Sequence, residues 1–243
     1  MAESYREPIS RRQRPAKPAL SRAAIVAAAL RLIRSEGSER LTVRRLAAEL
    51  DTGAASLYVY FKDTDALYAA VLDELLGGIK LARGRKPWRE RLVSLLTSYT
   101  ELLTAYPALA KTALFTRPSG PSSVGLWEAM LSLLAEGAIG GRDAAWAGDL
   151  LLQRATATAA EEGARRQDAK TDAADEQVEA VIQGVSAKDY PHLASVSTEM
   201  LSGPPMTRLA WSFEVLLNGI VAKPGSKVST RSKKTQKGLA PHR

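Results

Sequence analysis

Thr52 and Ser56 carry short hydroxyls four positions apart, and Ala55 and Val59 carry small apolar groups at the same spacing. At about 100° per residue these side chains fall on one side of a helix, with Ala54, Leu57 and Phe61 on the other and Tyr58 and Tyr60 on the two flanks. A strip this narrow and uncharged suits a groove about 12 Å wide, the major groove of double-stranded DNA. There Ala55 and Val59 would meet thymine methyls, Thr52 and Ser56 would meet base edges or phosphates, and Gly53 would keep the entrance slim. The hydroxyls of Tyr58 and Tyr60 would reach phosphates on the two groove walls, which positions a helix without reading sequence. The alternative for both tyrosines is boundary packing beside Leu57 and Phe61.

Other residues extend this chemistry. Thr42 opens a helix, so its hydroxyl and the free amides beside it form a phosphate site, and Arg44 projects from the first turn. Arg11, Arg12 and Arg14 lie on a proline-containing arm of a composition that follows the adjacent minor groove. The net charge of +8 is unevenly placed. Residues 1–22 hold six basic against two acidic side chains, and residues 223–243 hold seven basic and no acidic ones. The rest holds 21 basic against 24 acidic, so basic ends flank a slightly acidic body, as suits a polyanionic partner.

Enzymatic chemistry finds little support. The sequence has two histidines, His192 and His242, no cysteine, no HExxH and no phosphate-binding glycine loop. Glu161 and Glu162 are sequence neighbours and diverge on a helix. No metal or other cofactor is expected. The absence of cysteine fits a reducing cytoplasm. The most apolar run, 23–33, falls short of the roughly 20 residues needed to span a bilayer, and no secretory signal is expected.

The elements that must position these residues are all helical. Apolar residues recur at helical spacing, and no alternating strand pattern emerges. Ser21 caps a first helix with Ile25, Ala28, Ala29, Leu32 and Ile33 inward, closed by Gly37. Thr42 caps a second, burying Val43, Leu46, Ala47 and Leu50 and leaving Arg44 and Arg45 outside. Asp51, Thr52 and Gly53 make a tight corner before the segment 54–61. Asp63 or Thr64 then caps a fourth helix striped by Leu67, Ala70, Val71 and Leu75. Past a joint at 84–87, a stripe from Trp88 to Tyr106 predicts a long helix, and a short one is expected over 108–115. The run 117–123 reads as a loop, with helices expected over 124–137, 142–162, 172–185 and 206–221. The domain plan is therefore a flexible basic arm (1–20), a helix-turn-helix domain (21–66), a helical body (67–222) and a disordered basic tail (223–243).

The stretch TVRRLAAELDTGAASLYVYFKDTDALYAAVLDELL resembles the tetracycline-repressor (TetR) family of bacterial transcriptional regulators. The family follows a pattern close to T-x-R-x-L-A-x-x-L-G-V-S-x-x-x-L-Y-x-H-F-x-x-K-x-x-L. Thr42, Arg44, Leu46, Ala47, Leu50, Leu57, Tyr58, Phe61 and Leu67 fall on it, within a match spanning about residues 21–76. Asp51 and Thr52 replace the usual glycine and aliphatic residue, Tyr60 replaces histidine, and Thr64 stands where lysine is common. Lys62 is close enough to supply that lysine's phosphate contact.

The resemblance implies a transcriptional regulator, probing palindromic operator DNA as a homodimer and releasing it when a small organic effector binds the helical body. It further implies that the last two long helices, 142–162 and 206–221, form a four-helix bundle with their partners; packing within one chain would explain their apolar stripes equally well. Tyr99, Phe115, Trp127 and Trp146 are the candidate pocket lining, with core packing the alternative for each. Two other functions stay open: a ligand-independent architectural DNA-binding protein and an all-helical enzyme.

Overall fold

Ser21, Thr42 and Asp63 each accept a hydrogen bond from an amide three residues ahead: Ala24 at 3.1 Å, Arg45 at 3.0 Å and Ala66 at 2.8 Å. Each side chain thereby starts a helix by satisfying a donor that the first turn leaves without a partner. These helices are α1 (Arg22–Glu36), α2 (Val43–Glu49) and α4 (Thr64–Leu76), with α3 (Ala54–Leu57) between the last two. The computed structural model describes residues 19–80, 84–116, 119–167 and 169–222; Arg11, Arg12, Arg14 and the tail 223–243 lie outside them.

Gly37 ends α1 at φ 88°, a conformation that costs glycine little, and a short 3-10 turn, Ser38–Arg40, leads into α2. Asp51 takes φ 47° at the corner, which Asp accepts better than most residues. Ile25, Ala28, Ala29, Leu32 and Ile33 are buried as the periodicity predicts, together with Val26 and Leu30. Leu46, Leu57, Phe61, Leu67 and Val71 complete this N-terminal core, the head of the molecule.

The second half of α4 belongs to another core. Leu72 and Leu76 pack with α5 (Trp88–Ala105), α6 (Pro107–Phe115), α7 (Pro121–Glu136) and α8 (Gly141–Gln167). The helix α12 (Pro205–Ala222) closes this body with Leu209, Phe213 and Leu217 fully buried. Between α8 and α12 come α9 (Ala169–Gln183), α10 (Pro191–Ser195) and α11 (Ser197–Leu201). No strand occurs among the described residues, so the all-α class holds.

Three local expectations need correction. The loop expected over 117–123 already contains the first turn of α7, because Pro121 at the first helical position needs no amide partner. Ala54 is exposed, because α3 is one turn long and only Leu57 within it is buried. Arg45 is not left outside: its guanidinium bridges Glu36 at 2.5 Å and Glu49 at 3.3 Å, tying α1 to α2. The hydrogen bond to Arg45 holds the Glu36 carboxyl below its ordinary range.

Candidate DNA interface and effector cavity

The α3 helix is too short to be stable alone, so its placement depends on neighbours. Leu57 and Phe61 are buried beneath it, and the Arg22 guanidinium stacks 4.4 Å above the Phe61 ring while donating to the Tyr60 carbonyl at 3.1 Å. On the outer side Val59 is 80% exposed and Tyr58 49% exposed, with Ala55 and Gly53 open to solvent and Thr52 and Ser56 half-buried beside them. An uncharged strip with an almost fully solvated valine at its end is unusual for a surface that only meets water. Thr42 and Arg44 at the start of α2 are exposed, as is Lys62. The Thr42 oxygen is occupied as a cap acceptor, which leaves its O–H proton to donate outward.

A cavity of about 380 Å³ lies in the body, within the size range of small-molecule sites. Its rings are Tyr99 from α5, Phe115 from the end of α6 and Trp127 from α7. Asp149, Gln153 and Thr156 of α8 face them along one helical stripe. Tyr99 and Thr156 share a buried hydrogen bond of 2.9 Å, and burial pushes the Tyr99 hydroxyl pKa up, so it stays protonated. Phe115 is 90% exposed at the cavity edge. A planar apolar ligand would return that ring to an apolar contact, worth about 1.5–3 kcal/mol for a fully buried side chain. A wider open cleft between α1 and α4 is walled by Asp63, Asp65, Asp73 and Glu74 and has no aromatic lining.

Three side-chain ties join head and body, one of them Gln167 of α8 donating to the Glu39 carboxylate at 3.0 Å, and Leu109 of α6 packs in the head core. The buried Ser38 hydroxyl accepts from the Ala108 amide at the start of α6, at 3.3 Å. Asp73 on α4 grips the start of α7: one oxygen accepts from the Ser123 amide at 2.8 Å and its hydroxyl at 2.6 Å, the other from the Ser122 amide at 3.3 Å.

Comparison with known proteins assigns this arrangement. The profile of bacterial regulatory proteins of the tetR family matches residues 25–71, and that of the tetracyclin repressor-like C-terminal domain matches residues 81–223, more than half of the chain. The chain belongs to the tetR family. It is a DNA-binding transcriptional regulator of that family. A solved structure of SCO7704 from Streptomyces coelicolor, described as a transcription regulator, is 47% identical with a TM-score of 0.74, covering 86% of this chain and 98% of that one. ActR of Streptomyces coelicolor in complex with actinorhodin is 29% identical with a TM-score of 0.74, covering 84% and 98%. An HTH-type transcriptional regulator of Saccharopolyspora erythraea is 31% identical over 139 residues, 56% of this chain; the match spans 58% of that protein's length.

Within this tetR-family fold, Thr42, Arg44, Gly53, Ala55, Tyr58, Val59 and Lys62 are exposed on α2, α3 and the segments beside them, and Thr52 and Ser56 are half-buried. Tyr60 departs from the expected set. Its hydroxyl donates to the Leu20 carbonyl at 2.5 Å, pinning the chain before α1 to the segment after α3, and so faces inward instead of toward a phosphate. Tyr60→Phe should therefore cost about 1 kcal/mol of stability in urea unfolding and leave the salt dependence of DNA binding unchanged. Trp146 departs too: it is 59% exposed on α8, stacked under Arg142 at 4.8 Å, and lines no part of the cavity. Sequence reasoning missed Arg22, Asp73, Ser123 and the stripe Asp149, Gln153 and Thr156. The stripe had a visible signal, since polar side chains at i, i+4 and i+7 interrupt an alanine-rich helix.

Proposed function

We propose that this chain is a homodimeric repressor acting in the cytoplasm, which holds a palindromic operator until a small organic effector enters the cavity beside Tyr99, Phe115 and Trp127. The observation that carries this reading is the outer strip of α3, small and uncharged, set beside the capped start of α2. In it residues 21–66 engage DNA, with Ala55 and Val59 on thymine methyls, Thr52 and Ser56 on base edges, and Thr42, Arg44, Tyr58 and Lys62 on phosphates. The arm, 1–20, reaches the minor groove with Arg11, Arg12 and Arg14, and the tail, 223–243, adds non-specific attraction. The body, 67–222, binds effector and dimerises. The resemblance of this body to the tetracyclin repressor-like domain supports repression, and ActR with bound actinorhodin supports an aromatic effector.

Dimerisation is supported by exposed apolar side chains on two helices that pack together: Trp146 and Leu150 on α8, Trp211 and Val215 on α12. A second copy would cover them, and a two-fold dimer would present α3 to both half-sites, doubling an interface too small to bind tightly alone.

The test is binding to DNA flanking the protein's own gene, in moderate salt with competitor. Should no fragment be preferred there, autoregulation is excluded; should genome-wide selection also yield no preferred sequence, repression of specific genes is lost and a sequence-tolerant architectural role takes its place. Arg44→Ala and Lys62→Ala should each weaken all sites alike and reduce the salt slope by about one. Ser56→Ala should instead change the ranking of sites, measured by competitive anisotropy.

A further inference from the structure

The Asp73 carboxylate is a polar link between a helix of the head and a helix that walls the cavity, beside the apolar packing of Leu72 and Leu76. Its own helix runs from Leu67 and Val71 in the head core to Leu76 in the cavity wall. Its partner Ser123 also lines the cavity and is buried, and both its amide and its hydroxyl donate to one oxygen of Asp73. The two residues lie 50 positions apart, so nothing in the chain's covalent path requires them to meet. The amides of Ser122 and Ser123 sit in the first turn of α7, where no helical carbonyl is available to them. Gly120, just before α7, has no side chain to supply the cap, and no side-chain cap is formed there. The carboxylate of another helix thus satisfies the start of α7, and a shift of α4 along its axis must either drag that turn or break these bonds.

We propose that Asp73 is the positioning residue that couples the cavity to the head: whatever displaces Ser123 shifts α4, and whatever fixes α4 fixes the first turn of α7. This rests on the proposed function, with the cavity as the effector site. Coupling between sites is reciprocal, so DNA on the head must act on Ser122 and Ser123 as surely as an effector acts on the head. The link can therefore be tested without an identified effector, using DNA alone.

The experiment is hydrogen exchange of the full chain with and without a duplex selected from random sequence for tight binding. In the native protein, duplex binding should slow exchange of the Ser122 and Ser123 amides at least threefold. Asp73→Ala should abolish this DNA-dependent change while keeping duplex affinity within about threefold, because α3 is untouched. Asp73→Asn, which retains an acceptor oxygen, should restore part of it. A cap with no coupling role predicts faster exchange in Asp73→Ala but the same ratio with and without DNA; that result overturns the proposal. So does a native protein whose α7 amides ignore a bound duplex. Failure to select any duplex is a different outcome, which removes the DNA-binding reading and this proposal with it.

Discussion

Phe61→Ala should strongly destabilise the head and weaken duplex binding while the body keeps its stability. Phe61 is 3% exposed in a core it shares with Ile25, Leu46 and Leu57. Truncating a buried phenylalanine costs about 3–5 kcal/mol. The stacked Arg22 loses its ring as well, a contact worth about 0.5–1 kcal/mol at an exposed site. Set against a total stability of about 5–15 kcal/mol for a domain, this is a large share for a core as small as the head's. All four tryptophans, Trp88, Trp127, Trp146 and Trp211, lie in the body, which provides the measurement. Circular dichroism should acquire an early transition in urea while tryptophan fluorescence keeps its native midpoint. Coincident, unshifted transitions would mean that Phe61 does not hold the head together. Val59→Ala is the contrast: with its side chain in solvent it should leave stability within about 0.5 kcal/mol and weaken duplex binding only.

Gly148→Leu should give a regulator that binds DNA normally and no longer responds to any effector. Gly148 is buried on α8 directly under the Trp127 ring, and a Cβ there would stand 2.6 Å from Trp127 Cζ3. Leucine gains up to about 1 kcal/mol of helix propensity over glycine, but overpacking costs about 1–3 kcal/mol, so the net change is destabilising. The indole lines the cavity, and a side chain at position 148 pushes it from its seat on α8 toward that space. An indole pushed into a cavity of about 380 Å³ takes up a large part of the space a ligand would use. A reporter assay should show repression that no inducing extract or compound relieves, with the head's affinity for duplex intact. Retained induction would place the effector elsewhere, the open cleft beside α4 being the next site to examine.

Much of the head was legible along the chain because its determinants are local. Caps at Ser21, Thr42 and Asp63 act on amides three residues away, and the buried stripes follow a 3.6-residue period. The strip of α3 followed from the same arithmetic, whereas Tyr99, Phe115 and Trp127 were singled out only as large rings on the middle helices, and the fold sets them around one cavity. Apart from the start of α7, the main errors concern which neighbour a side chain meets. Periodicity places Trp146 and Trp127 on helix faces but does not say which face looks into a cavity. It puts Tyr60 on a flank without revealing that the Leu20 carbonyl waits there, 40 residues earlier in sequence. It leaves Arg45 among charges on an outer face, whereas Glu36 of another helix claims it.

By itself, then, the sequence determined the helices, their order, the inward faces and the small outer strip of α3, because each depends on interactions within about one helical turn. Tertiary structure alone decided that Asp73 caps a helix 50 residues away, that Gly148 seats Trp127, and that Phe115 stands open at the cavity edge. Those contacts depend on how rigid helices cross, and the crossing is set by the packing of whole faces, which no single residue's spacing encodes.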